Sequence, residues 1–384
     1  MTAVRPGIVR LLAEERWRVR GQRLGLLTNQ TGVLPDLRST ARVLAAASDL
    51  RLEALLTPEH GLWGAAQAGE PVPTQTDPAT GRPVYSLYGP ARSPLPAILQ
   101  GLDAVLVDLQ DGGVRFLTYF STVVEVLEAA AVAGCRVLIL DRPNPLGGRL
   151  CGNVLEPPHR SFVGAHPIAW CHGLTLGELA RLVVAERRLA VDLTVVPLQG
   201  WRRELWYDET GLPWINLSPN LPTLETLIVY PGTCLLEGTN LSEGRGTTLP
   251  FLQVGAPWLD PFALADTLNG QGLPGVRFRP VYFVPTFSKH AGQVCGGVYV
   301  HVSDRQRVDP VLTGLAVLWA VRAQAPDRFA WRESPPGQYP IDRLAGTEAV
   351  RRALELGEPP AALVERWRAD LRAFWERCRP VLLY

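Results

Sequence analysis

Short apolar runs recur along the first half of the chain, spaced so that a helix fits between most of them. Residues 23–29 (RLGLLTN), 52–58 (LEALLTP), 103–110 (DAVLVDLQ), 135–141 (CRVLILD) and 191–198 (VDLTVVPL) are nearly unbroken stretches of Leu, Val and Ile. A strand covered on one face alternates apolar with polar residues, whereas a strand covered on both faces is apolar throughout. The runs therefore predict buried parallel strands. Helical patterns over 34–47, 121–133 and 175–186 separate them, and strand alternating with helix implies βαβ units. Beyond residue 250 the pattern changes. Helices are expected over 259–269 and 310–325, strands over 276–284 and 296–303, and a helical tail over 361–383 with Trp367 and Trp375 on one face. The predicted class is α/β. A Rossmann-like, mainly parallel sheet with helices on both faces occupies residues 1–250, and a second, smaller α/β domain over 251–384 closes the cleft.

Four of the apolar runs end in polar residues: Thr28-Asn29, Pro58-Glu59-His60, Asp108 through Asp111, and Asp141-Arg142-Pro143-Asn144. Ligands of open parallel sheets bind beyond the carboxyl ends of the strands. Asn29, Glu59, His60, Asp111 and Asn144 are thus expected to converge on one cleft. Any one of them alone is more often a helix cap or a turn former, but four ends together argue for a site. A separate stretch, LLEGTNLSEGRGTT (235–248), sets Glu237 and Glu243 among Gly, Thr, Asn and Ser. Glycine would let the backbone approach a ligand, and short polar side chains would supply hydrogen bonds. A solvated loop would read the same way.

Composition narrows the chemistry. With 47% hydrophobic and 20% charged residues and a net charge of +1, the chain is globular, and neither nucleic acid nor an anionic membrane is the expected partner. Lys289 is the sole lysine among many arginines and reads as a snorkelling surface residue. The six cysteines form no CxxC pair, and no HExxH occurs, so buried thiols are expected and no metal site. No run of about 20 apolar residues is present, nor an apolar N-terminal core of the signal-peptide kind, and the expected location is cytoplasmic. TNQTG stands after the first strand in place of GxGxxG, and no GxxxxGK[ST] occurs, so no dinucleotide and no other cofactor is expected. A cofactor-free cleft of carboxylates and amides, with aromatic segments at 61–64, 115–120, 206–214 and 230–234, suits a sugar. Glycoside hydrolysis typically uses two carboxylates. Glu59, at a strand end between Pro58 and His60, is the leading acid/base candidate.

The segments TNQTG (28–32), PEHGLWG (58–64), DLQDGGVRFLTY (108–119), LDRPNPLGG (140–148), DETGLPW (208–214), SPNLPT (218–223), EGTNLSEGRGTTLPF (237–251), GAPW (255–258) and PTFSK (285–289) resemble, in order, those of the peptidoglycan exo-β-N-acetylmuramidases of the NamZ type. The resemblance runs from about residue 25 to residue 384. It implies release of N-acetylmuramic acid from the non-reducing ends of MurNAc–GlcNAc-type glycans, without metal, in a cleft between a Rossmann-like domain and a smaller one. Many members are secreted. It also implies that Glu59, Glu237 and Glu243 lie in or near the catalytic cleft, with Asp111 or Asp108 able to supply a second carboxylate. The expected sugar-binding residues are Asn29, His60, Asp108, Tyr119, Asn144, Asn220, Thr239, Asn240, Arg245 and Thr248. Arg245 would fork onto the lactyl carboxylate or pair with Glu237 or Glu243. A homodimer is the expected assembly. The chain departs from the pattern twice. Cys151 stands after LGG where members often carry Glu, and Cys171 stands before HG where they often carry Arg. The first departure sustains an alternative, a muropeptide-binding protein that does not cleave. A sugar-phosphate or nucleotide enzyme on the same sheet is a third reading.

Overall fold

The computed structural model describes residues 3–90 and 92–384. These form two compact units. The first takes the chain up to Arg149, then Gly173–Pro222 and Arg377–Tyr384; the second takes Leu150–His172 and Thr223–Glu376.

In the first unit, helix α1 (Gly7–Ala13) leads into β1 (Arg23–Thr28), α2 (Thr40–Ala46), β2 (Arg51–Thr57), β3 (Gln75–Thr76), β4 (Pro83–Ser86), α3 (Leu95–Leu99), β5 (Ala104–Asp108), α4 (Tyr119–Ala133) and β6 (Arg136–Leu140). The chain then supplies β7 (Leu150–Val154) and β8 (Ala169–His172) to the second unit and returns for α5 (Leu176–Arg187) and β9 (Leu193–Val196). The sheet order is β3-β4-β2-β1-β5-β6-β9, parallel except for β3, which runs antiparallel to β4. Successive strand residues face opposite ways, and β9 illustrates it. Val196 joins the buried layer containing Ile8, Leu11, Leu44, Leu26 and Leu106, whereas Val195 meets α5, its Cγ1 lying 2.6 Å from where a Cβ on Gly177 would be. Helices cover both faces, as the unbroken apolar runs demand.

The second unit holds α6 (Leu224–Thr233), β10 (Gln253–Ala256), α7 (Pro261–Gly270), β11 (Val276–Phe283), β12 (Cys295–Val302), α8 (Pro310–Gln324), α9 (Pro340–Ala345), α10 (Ala349–Glu355) and α11 (Pro360–Arg366). Its sheet is antiparallel, ordered β10-β12-β11, and β7 and β8 pair as a separate two-stranded ribbon. Helix α12 (Arg368–Cys378) follows.

Three expectations differ in detail. The helix expected over 34–47 starts only at Thr40, because Pro35-Asp36 forms a turn in which Leu34 N–H donates to Arg38 O and Arg38 N–H to Asp36 Oδ1. The helical tail is broken at Trp367, between α11 and α12, where the indole is buried against Trp170. The division expected at residue 250 falls in the contacts at Pro222–Thr223. Helix α6 and the glutamate-bearing segment after it pack within the second unit. Glu59 therefore belongs to the first unit, and Glu237 and Glu243 to the second.

Candidate functional site

Strand order in the first unit reverses at β1, with β2 on one side and β5 on the other. Such a switch point opens a crevice at the carboxyl ends. Thr28 pairs with Asp108 there, and Thr57 with Ser86. Glu59 and Tyr88 each lie two residues beyond the second pair, and this common offset brings them together. Glu59 is 7% exposed. Its Oε1 accepts from Gly69 N–H at 3.0 Å and its Oε2 from the Thr118 hydroxyl at 2.6 Å, and the Tyr88 hydroxyl contacts the same carboxylate. Burial first, then the Glu59 charge, pushes the Tyr88 phenol well above its ordinary value, so Tyr88 stays a donor. Thr118 is the N-cap of the 15-residue α4, where the helix dipole favours negative charge.

The next residue, His60, takes a left-handed backbone, φ 72°, a conformation uncommon outside glycine. Its Nδ1 lies 2.8 Å from Ala66 O; since a carbonyl only accepts, Nδ1 carries the proton. Asn29 Oδ1 accepts from Thr31 N–H and hydroxyl at 2.9 and 2.6 Å. The Tyr119 hydroxyl donates to Leu217 O, and the Gln30 and Asn29 side chains interact with it. Burial raises the Tyr119 phenol, and the charges of both Glu59 and Asp111 add to the effect. That one hydroxyl thus sits within electrostatic reach of both carboxylates. Asp111 is buried, and its Oδ2 accepts from Gly113 N–H at 2.6 Å. Asn220 Nδ2 donates to Gln67 Oε1 at 2.9 Å. Trp63, on the same PEHGLWG loop, is 52% exposed.

Two predicted ligands turn out to hold the frame. Asp108 is fully buried, with Arg142 Nε 2.6 Å from Oδ1 and Nη2 3.0 Å from Oδ2. The Thr40 hydroxyl donates to Oδ2 at 2.6 Å. Both oxygens are engaged by protein donors. Asn144 bridges loops, Nδ2 donating to Leu174 O and Oδ1 accepting from Leu146 N–H, both at 2.9 Å.

Below β6, Asp141 gathers Thr175, Gly177, Arg142 and Tyr384 as donors at 2.7–3.1 Å. Burial, and secondarily the Glu178 charge, pushes its carboxyl up to about 7, against the pull of those hydrogen bonds. A carboxyl raised in the folded state binds more protons folded than unfolded between about pH 4 and pH 7. Its contribution to stability is therefore complete below that window and lost as pH rises through it. Urea melts across this range should show the wild type losing about 3–4 kcal/mol relative to Asp141→Asn. Parallel profiles for the two proteins would contradict this.

In the second unit, the 235–248 segment forms an ion chain. Arg245 Nη2 lies 2.6 Å from Glu237 Oε1 and its Nε 3.3 Å from Glu243 Oε1, and Lys289 Nζ lies 2.8 Å from Glu243 Oε2. Arg245 also stacks over Phe251, 5.1 Å from the ring centroid. Burial lowers the Lys289 ammonium despite Glu243. For Arg245 the burial effect is outweighed, chiefly by Glu237, and its value rises. Lys289 is thus a half-buried ion-pair partner rather than a snorkelling surface residue, and it also donates to Leu236 O and Thr239 O at 2.7 and 3.1 Å. The Arg245 fork is committed to both glutamates instead of standing open for a carboxylate. Thr239 and Asn240 are similarly engaged: Thr239 donates to Leu236 O, and the Asn240 amide bridges Arg328 O and Ala330 N–H. Thr248 is exposed. The glycines serve the chain's own packing. Gly246, φ 80°, lies where a Cβ would come within 2.6 Å of Phe287 O, and one on Gly244, φ 81°, within 2.4 Å of Gln253 O.

Sequence reasoning missed Thr118 and Tyr88, the two hydroxyls on Glu59. Thr118 closes a polar-apolar mixture before α4, and Tyr88 follows a four-residue strand opening with proline; the Tyr88-Gly89-Pro90 turn was the one available signal. Among the described residues no group of three His, Cys, Asp or Glu side chains is placed to hold a metal ion, and no helix is long and apolar enough to cross a membrane.

Residues 24–225 match the N-terminal model, and residues 228–384 the C-terminal model, of the exo-β-N-acetylmuramidase NamZ family. The peptidoglycan β-N-acetylmuramidase NamZ of Bacillus subtilis (strain 168) is 43% identical, covering 99% of this chain and 91% of the relative. Two crystal structures of DUF1343 family proteins from Bacteroides fragilis NCTC 9343 are similar. One is 35% identical with a TM-score of 0.90 over all of both chains. The other is 30% identical with a TM-score of 0.79, covering all of this chain and 99% of the other.

Proposed function

The chain belongs to the exo-β-N-acetylmuramidase family of the NamZ type, and from that we infer that it is a glycosidase releasing N-acetylmuramic acid from the non-reducing end of peptidoglycan glycans. The observation that carries the assignment to particular residues is Glu59. This carboxylate lies just under the surface at the switch point of the parallel sheet, held by Thr118, Gly69 and Tyr88.

Glu59 moves the proton at the glycosidic oxygen. Thr118 and the Gly69 amide fix the plane of its carboxylate, so that the proton is delivered from one direction, and a positioned acid/base is worth about 10²–10⁴-fold in rate. Asp111 is the second carboxylate of this reading, since Asp108 is closed off by Arg142 and Thr40. Tyr119, which feels both Glu59 and Asp111, holds Asn29 and Gln30 around the reacting centre. In the second unit, Glu237 and Glu243 brace the 235–248 loop through Arg245 and Lys289 and are not assigned proton transfer.

Trp63 presents a large exposed ring four residues from Glu59 and covers the apolar face of a pyranose. Trp63→Ala is expected to raise KM about tenfold while kcat stays within about twofold, as for loss of uniform binding. An unchanged KM would remove Trp63 from the site. The reading as a whole is tested with a MurNAc–GlcNAc disaccharide, from which free N-acetylmuramic acid should accumulate. Saturable binding without release would favour the non-cleaving alternative.

A further inference from the structure

The β7–β8 ribbon of the second unit places two cysteines face to face: Cys151 is the ladder partner of Cys171. In an antiparallel pair, directly opposed side chains leave the same face, with Cα atoms about 4.5–5.5 Å apart. A disulfide spans Cα separations of about 4.4–6.8 Å, so bonding the sulfurs needs little movement of the strands. The other four cysteines lack this arrangement among the described residues. Cys295 faces Phe283 across its ladder, and Cys135, Cys234 and Cys378 lie outside the strands.

The opposed register is locally pinned. It shifts between Cys151 and Val154, and Gly152 within this bulge takes φ 74°. Where Gly152 would carry a Cβ stands the Trp170 side chain, 2.4 Å away. Trp170 in turn packs on Trp367, with ring centroids 6.2 Å apart. Sliding β7 along β8 would break this fit, so Cys151 stays opposite Cys171. Both thiols are unbridged in this structure. Cys151 is 7% exposed and Cys171 fully buried, which gives an incoming reagent access to Cys151 first.

We infer that Cys151 and Cys171 are a redox modification site, an oxidisable dithiol that closes a cross-strand disulfide with a small-molecule disulfide such as oxidised glutathione. The Cys151 thiolate attacks the oxidant's S–S bond, forming a mixed disulfide and expelling one thiolate. Cys171 then loses its proton and attacks the Cys151 sulfur, forming the Cys151–Cys171 bond and expelling the second thiolate. Two protein thiols are oxidised, and one disulfide is reduced to two thiols. Burial of the pair makes the exchange wait on local opening of the ribbon. A two-stranded ribbon is marginal by itself, so the cross-link adds to the packing that holds β7 on β8.

The test equilibrates the folded protein with excess oxidised glutathione, blocks remaining thiols, and maps the disulfides by peptide mass. The expected product has lost two hydrogens and yields one cross-linked peptide joining Cys151 to Cys171. Its melting temperature should rise by about 5 °C or more and return on reduction. Cys151→Ser and Cys171→Ser should each abolish the cross-link. Glutathione retained as a mixed disulfide at either cysteine, a bond joining any other pair, or both thiols still reduced after equilibration would overturn the inference. The wild-type peptide map decides the matter even if one serine variant folds poorly.

Discussion

Arg142→Met is expected to destabilise the first unit by about 3–5 kcal/mol, because it leaves a buried carboxylate without its counter-charge. Asp108 is fully enclosed, and Arg142 grips both of its oxygens while reaching Val33 O with Nη2 at 2.7 Å. Burial works against the arginine's charge, and the Asp108 carboxylate more than restores it. Methionine fills similar volume but returns none of that interaction, and Thr40 alone then faces Asp108. The urea midpoint should fall with little change in slope, the mark of lost stability without a change in exposed area. The double variant Arg142→Met/Asp108→Asn should be more stable than Arg142→Met, since its buried group is uncharged. A single variant within about 1 kcal/mol of wild type would show that the pair is not holding β5 to β6.

The same pair shows where sequence reading ends. Strands β1, β2, β5 and β6 were readable because each is buried along most of its length and therefore largely apolar, and β9, half-buried at the sheet edge, was readable from its Leu and Val residues. Glu59, His60 and Asn29 lie just beyond the ends of β2 and β1. Which polar residue faces outward and which is consumed inside was not readable. Asp108 and Asp111 are three residues apart in one run, and only the fold shows Arg142, from the next strand's end, closing on Asp108. Strand β4 has four residues and opens on proline, so no apolar run announced it, and Tyr88 was missed with it. In the 235–248 segment the composition fitted a ligand-facing loop and a solvated loop equally, and the family resemblance implied sugar contacts, whereas Thr239 and Asn240 bond to main chain. Short polar side chains satisfy backbone as readily as ligand. Lys289 meets Glu243 only because the β11–β12 hairpin returns across the loop, a contact between positions 46 residues apart that no local pattern encodes. The facing of Cys151 and Cys171 is likewise a matter of register. Separately they were two departures from a family pattern; across the ladder they are one feature.

Glu59→Gln carries the largest expected effect on activity. The glutamine side chain keeps the shape of the carboxylate and can still accept from Thr118 or Gly69, so folding should survive within about 1 kcal/mol. What it cannot do is carry the proton between protein and glycosidic oxygen. The loss should therefore fall on kcat, by about 10²–10⁴-fold, with KM changed little. Thr118→Val makes a useful companion. It leaves the carboxylate but removes one of the donors that fix its plane, and a loss of about tenfold is expected from misplacement alone. The decisive measurement is the initial rate of N-acetylmuramic acid release from a MurNAc–GlcNAc disaccharide, followed by NMR for wild type and Glu59→Gln at matched folded concentration. Steady release by the wild type and a rate at least about 100-fold lower for the variant is the predicted result. Equal rates for the two proteins would contradict the assignment of proton transfer to Glu59.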